Sequence, residues 1–139
     1  MKQSHVLQLA CEPLPIVRIG FIGLGNRGMA TLRRYLVIDG VEIVALCDIH
    51  RAHLDEASAV IAADGKYTPC LLNAQDGWKQ MCQRDDIDLI YICTDWLTHA
   101  PMACYAMEQG KHVAIVVPAA TTVEECWQLV DTAGRMRRH

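Results

Sequence analysis

The sequence predicts a single α/β domain built on a doubly wound parallel β-sheet, and three observations carry that prediction. Four short apolar runs rich in valine and isoleucine are bounded by glycine, aspartate or proline, as strands buried on both faces are. Between these runs apolar residues recur at helical spacing, so strand and helix alternate along the chain. With 139 residues, 52% of them hydrophobic, the chain suits one domain with a substantial core, whereas a two-domain enzyme needs far more.

Residues 1–15, with Pro13 and Pro15, read as an arm leading into a domain that spans 16–139, and VLQLA within the arm could pair at a sheet edge. The first strand is Ile16 to Ile22, followed by a helix with Met29, Leu32 and Leu36 on one face. Val41 to Cys47 is the second strand, and Leu54, Ala57, Ser58 and Ile61 share a face of the next helix. From Ala62 to Arg84 the pattern is less regular: DGKYTPC reads as a turn with at most a short strand, and an amphipathic segment surrounds Trp78, Met81 and Cys82. Asp88 to Cys93 and His112 to Val117 are the last two strong strands, separated by a helix that aligns Ala103, Ala106 and Met107. Beyond them Thr122 and Glu125 stand at capping-box spacing, with Val123, Cys126, Trp127 and Val130 along one helical face.

Composition narrows the function classes. A net charge of −3 leaves no basic field for phosphate-backbone contacts, so nucleic acid is not an expected partner. The terminal GRMRRH fits a cationic last helical turn. MKQSHVLQLAC has too short an apolar stretch for a signal peptide, no apolar run approaches a membrane span, and LQLAC departs from a lipoprotein cleavage box in having Gln8 three before Cys11 and no long apolar region ahead of it. The expectation is a soluble, cytoplasmic chain. Its 7 cysteines are odd in number and lack a C-x-x-C pair, so neither a disulfide framework nor a metal site is expected.

RIGFIGLGNRG, residues 18–28, carries the chemistry. Gly23, Gly25 and Gly28 sit between the first strand and first helix, where the first permits a tight turn, the second lets a pyrophosphate approach, and the third lets helix pack on strand. Backbone N–H groups at the helix start would face the phosphates. Asp48, twenty residues past Gly28 at the end of the second strand, is placed to accept hydrogen bonds from adenosine ribose hydroxyls and to repel the extra phosphate of NADP. That favours NAD, with Arg51 nearby as a softening charge. A turn that binds nothing, and an adenosylmethionine site with a similar loop and acid, are the competing readings. Thr94 to His99 fall at a carboxyl edge beside the same crevice. Trp96 offers a flat surface and His99 a polar ring, or else Thr98 caps the next helix with Pro101 in its first turn.

RIGFIGLGNRG, EIVALCDI and the stretch from Arg84 to Ala133 together resemble the NAD-binding domain of the glucose-fructose oxidoreductase and inositol dehydrogenase superfamily. More narrowly, they are similar to glycoside hydrolase family 109, the NAD-dependent α-N-acetylgalactosaminidases. The likeness runs from Val17 to Ala133. It rests on the Asn-Arg pair in the loop, Cys-Asp-Ile after the second strand, W-x-x-H, and P-A-A-T-T after the last strand. It implies a Rossmann-type sheet with NAD contacts at Asn26 and Arg27, at Asp48 for the ribose, at Trp96, Leu97, Thr98 and His99 beside the nicotinamide, and at Val116 and Val117. It also implies a reaction in which NAD takes a hydride from a sugar carbon, the glycosidic oxygen is eliminated, water adds and the hydride returns. That differs from the usual pair of carboxylates flanking the bond.

The sequence departs from the family pattern in three ways. Val116-Val117-Pro118 replaces E-K-P or E-V-P, which removes the dehydrogenase lysine and the glycosidase glutamate. Thr94-Asp95-Trp96 replaces T-P-W, adding a carboxylate that either favours the oxidised ring or points to solvent. The chain stops at RMRRH, where relatives continue into a sixth strand and a substrate domain that holds the sugar-handling histidine and tyrosine. The expected function is therefore an NAD-binding domain of such a glycosidase, inactive alone and with no catalytic residue of its own, its sugar substrate belonging to a full-length parent. An interaction module without cofactor, or part of a sugar or polyol dehydrogenase, are the alternatives. An uncovered sheet edge would invite a second copy, so a homo-oligomer is expected.

Overall fold

The computed structural model describes residues 9–66 and 68–139. Most of VLQLA thus lies outside the described residues, and Leu9 and Ala10 form no strand. Five strands make one all-parallel sheet, β1 (Val17–Ile22), β2 (Val41–Cys47), β3 (Cys70–Leu72), β4 (Leu89–Ile92) and β5 (His112–Ile115), in the order β3-β2-β1-β4-β5. The expected α/β architecture is what forms, with the order of strand addition reversing at β1 and β4, which lie side by side and parallel.

The helices are α1 (Asn26–Tyr35), α2 (Arg51–Asp64), α3 (Gly77–Cys82), α4 (Trp96–Glu108) and α5 (Val123–Met136). On one face of the sheet, α1 and α2 bury Leu32, Leu54 and Ile61 against Ile19, Phe21 and Leu46. On the other, Met81 of α3 and Ala103 and Ala106 of α4 cover Ile22, Ile90 and Ile92. Close approach explains a glycine inside β1: a Cβ on Gly20 would stand 2.7 Å from the Met81 sulfur. β1, β4 and β5 are one or two residues shorter than their apolar runs, while β2 fills its run. Val116 N still donates to Ile92 O after β5 has ended.

Three local expectations are refined. The short strand falls at Cys70–Leu72, and only its first residue belongs to the turn segment that suggested it. Asp95, not Thr98, is the N-cap of α4, and Pro101 lies inside that helix rather than in its first turn, where its ring cannot donate to the Leu97 carbonyl. α5 has the full Thr122–Glu125 capping box, but its stripe of Val123, Cys126, Trp127 and Val130 faces solvent, with Trp127 61% exposed. α5 packs chiefly on α4, which draws Leu129 and Thr132 inward and leaves the stripe outside.

Candidate functional site

The carboxyl ends of β1, β2 and β4 open onto one cleft of about 530 Å³. Gly23 and Gly25 enter it from the loop after β1, Asp48 from the end of β2, and Thr94, Leu97 and Thr98 from the turn into α4. This is the crevice at the switch in strand order, where open parallel sheets bind ligands.

The three glycines do different things. Gly23 has φ +89°, a region closed to most side chains, and a Cβ there would be 2.4 Å from the Cys93 carbonyl oxygen. Gly28 is closed by its own loop, since a Cβ would stand 2.1 Å from the Gly23 oxygen. Gly25 is the opposite case: its φ of −66° suits any residue and nothing lies within 4 Å of where a Cβ would be. The missing side chain therefore keeps space open instead of relieving a clash.

That open space adjoins the start of α1. Gly25 caps the helix with no side-chain acceptor and the first turn has no acid, whereas Asp95 and Thr122 cap α4 and α5. The amides of Asn26 to Gly28 thus form an electropositive helix end suited to an anion. Arg27 on this turn is exposed and near enough to Cys93 to lower its thiol slightly, against burial that raises it. Asn26 lines a shallower neighbouring cleft with Arg33, His53 and Glu56.

Asp48 is buried, with 8% exposed, and its carboxylate accepts from Leu24 N at 2.8 Å, His50 N at 2.7 Å and His53 Nδ1 at 3.0 Å. Burial pushes its carboxyl up, but the His50 and Leu24 amides and His53 outweigh that and hold it below the ordinary carboxylate value. Three of roughly four acceptor positions are thus filled, and one is left for a ligand hydroxyl. Asn73 Nδ2 fixes the same residue by donating to its carbonyl at 2.9 Å. Arg51, expected as a softening charge, is held by Asp55 at 2.8 Å.

The α4 turn is tied together differently from the expectation. Asp95 accepts from Leu97 N at 3.0 Å and from Thr98 Oγ1 at 3.1 Å, so its carboxylate serves the helix start. Thr94 and Thr98 share a hydroxyl contact at 2.7 Å on the cleft wall. Trp96 and Leu97 are 63% and 73% exposed, and only Leu97 lines the cleft. His99 is completely buried outside the cleft lining, with Nδ1 2.7 Å from Pro118 O and Nε2 3.1 Å from Thr94 O. Its place as a polar ring at the crevice is corrected: it is packed between the loop after β4 and the loop after β5, with one ring nitrogen against a backbone carbonyl of each, and a neutral ring donates to one of the two. Val116 and Val117 also lie outside the cleft lining, and Val117 is 85% exposed.

Sequence reasoning missed His53, His50 and Asn73. The two histidines stand two and five positions beyond Asp48, but their convergence depends on how α2 leaves β2, and Asn73, 25 positions on, is brought back by the pairing of β3 with β2. Among the described residues no three His, Cys, Asp or Glu side chains are grouped to hold a metal, and no helix is long and apolar enough to cross a membrane.

Comparison with known proteins bears on this geometry. The family model described as an oxidoreductase family with an NAD-binding Rossmann fold matches residues 17–138. The chain is 63% identical over 137 residues to an alpha-N-acetylgalactosaminidase of Bacteroides fragilis, covering 99% of this chain and 32% of that protein. It is 49% identical over 139 residues to a glycosyl hydrolase family 109 protein of Phocaeicola vulgatus, covering 100% of this chain and 34% of that one. Among solved structures it superposes with TM-score 0.74 and 25% identity on myo-inositol dehydrogenase from Lactobacillus casei in complex with NAD(H) and myo-inositol, over 84% of this chain and 33% of that chain. The chain spans about a third of the length of these relatives.

Proposed function

Since this chain belongs to the oxidoreductase family that has the NAD-binding Rossmann fold, we propose that its cleft holds NAD as the cofactor-binding part of an α-N-acetylgalactosaminidase-type glycosidase. The observation that carries the reading is the open Cβ space at Gly25 beside the uncapped start of α1, with Asp48 in the same cleft. The residues present fit a dinucleotide: amides and a helix dipole for a pyrophosphate, and a carboxylate with one acceptor position left for a ribose hydroxyl.

In this reading Gly23 and Gly28 shape the loop while Gly25, Asn26 and Arg27 bind the phosphates. Asp48 accepts from the ribose and disfavours the extra phosphate of NADP. Leu97 and Thr98 form the wall beside the nicotinamide, Trp96 stands at its mouth, and His99 holds that wall to the segment carrying Val116 and Val117. NAD, when bound, supplies a reversible hydride acceptor. No residue lining the cleft is assigned as an acid or base on the sugar. The sugar-handling groups are placed in the two thirds of the relatives' length that has no counterpart in these 139 residues.

A second copy of the chain is proposed to cover the apolar stripe of α5, which exposes Val123, Trp127 and Val130 together. A cytoplasmic setting suits the free, buried thiols of Cys47 and Cys82. The cofactor reading is tested by calorimetric titration of the folded chain with NAD and then NADP, alongside Asp48→Ala. NAD binding that weakens in the variant supports it. A folded chain that binds neither nucleotide overturns it and leaves an interaction module. A chromogenic α-N-acetylgalactosaminide is expected to release no product with this chain alone.

A further inference from the structure

The acid at the end of β2 works as part of a cluster. An ionised carboxylate only accepts hydrogen bonds, so the His53 nitrogen 3.0 Å from Asp48 Oδ2 carries a proton, and in the neutral ring Nε2 is an acceptor. The His50 ring stands 5.1 Å from that of His53, close to perpendicular, and both line the main cleft with Asp48. His53 also lines the shallower cleft beside Gly25 and Asn26, so it stands between the phosphate loop and the acid.

We propose that His53, with His50 beside it, is a specificity-determining residue that makes the choice between NAD and NADP depend on pH. This rests on the reading of the cleft as a dinucleotide site. With neutral rings, the charge of Asp48 faces the ribose without compensation and a 2′-phosphate is rejected. With protonated rings, Nε2 of His53 becomes a donor and the positive charge offsets Asp48, so a 2′-phosphate is admitted.

The surrounding charges support this division of labour. Asp48 from β2 is held ionised by its amide donors. From α2, Arg51 is paired with Asp55 at 2.8 Å; Glu56 of α2 lies 3.6 Å from Arg33 of α1. Asp76 stands on the wall contributed by the turn before α3. Asp95 lines the same cleft and is bonded to Leu97 N and Thr98 Oγ1, and burial pushes the Cys47 thiol up to about 12. Imidazole is the side-chain type whose charge ordinarily changes between about pH 5 and pH 8.

The test is calorimetric titration of the folded chain with NAD and with NADP at about pH 8 and about pH 5.5, either side of the range in which imidazoles titrate. In the wild-type chain the ratio of the NADP Kd to the NAD Kd is expected to fall on the order of tenfold at the lower pH, as one added unit charge at this range would cause. The phosphate of NADP loses charge over the same interval, which opposes the effect. His53→Gln keeps an amide donor for Asp48 but does not titrate, and is expected to remove most of the change in that ratio. Nitrogen-detected NMR of the imidazoles gives a second readout, with His53 expected as the Nδ1–H tautomer at the higher pH. A ratio that does not move with pH, or that moves equally in His53→Gln, overturns the inference while leaving the NAD site standing. A folded chain that binds NAD at neither pH overturns the cofactor reading, and this inference with it.

Discussion

Gly25→Ala separates binding from folding. The native φ of −66° and ψ of −167° are open to alanine, and the new methyl would meet nothing within 4 Å. Alanine is worse than glycine at a helix N-cap by roughly 0.5 kcal/mol, but it lowers the entropy of the unfolded chain by about as much. The net stability change is expected within about 0.5 kcal/mol, which leaves Tm within about 3 °C of wild type. The methyl would nevertheless stand where a phosphate must approach the amides of α1. Losing two charge-assisted hydrogen bonds there, at about 1.5 kcal/mol each, predicts a Kd for NAD raised about a hundredfold. Gly28→Ala is the counterpart: its Cβ would be 2.1 Å from the Gly23 oxygen, where an ordinary contact begins at 3.4 Å. That overpacking, partly offset by alanine's helix propensity, costs about 1–2 kcal/mol, so both Tm and binding fall. Calorimetry for NAD and thermal melts followed by circular dichroism read both quantities. A Gly25→Ala chain that melts normally and binds NAD within about twofold of wild type, a change under about 0.5 kcal/mol, would refute the placement of phosphate at Gly25.

Three further outcomes are expected. The Asp48 carboxyl lies below its ordinary value in the folded chain, so the stability it contributes is present above the usual aspartate range, about pH 4, and is lost as pH falls through the lowered value. Thermal melts from neutral to acid pH should therefore show wild type losing more Tm than Asp48→Asn. His99→Ala empties a completely buried site and takes the ring from between the Thr94 and Pro118 carbonyls, at a cost of about 2–4 kcal/mol that a lowered denaturant midpoint would register. Trp127→Asp should convert a self-associating chain to a monomer in sedimentation velocity, and a monomeric wild type would remove the proposed second copy from α5.

Much of this molecule is legible locally. The apolar runs of β1, β2, β4 and β5 are visible because a strand buried on both faces must be apolar throughout, and the Thr122–Glu125 box because both partners lie within one helical turn. β3 was barely legible because three residues are too few to show a period. A Thr98 cap for α4 was one of two readings of that stretch, yet Asp95 took the position, since either oxygen can reach an amide and the path of the chain out of β4 selects one. The apolar stripe of α5 announces a helix but not what covers it, because amphipathic spacing is the same whether the neighbour is this chain or another.

By itself the sequence determined the alternation of strand and helix, the glycine loop between the first pair, and the acid at the end of the second strand, all of which follow from spacing along the backbone. Only the tertiary structure decided that Gly25 opens space while Gly28 avoids a clash, that His53 completes the Asp48 cluster, and that His99 is packed between two loops behind the cleft. Those assignments turn on which donor or acceptor lies within about 3 Å of a given atom. Separations of that size between residues 5 to 24 positions apart are set by how the helices pack on the sheet.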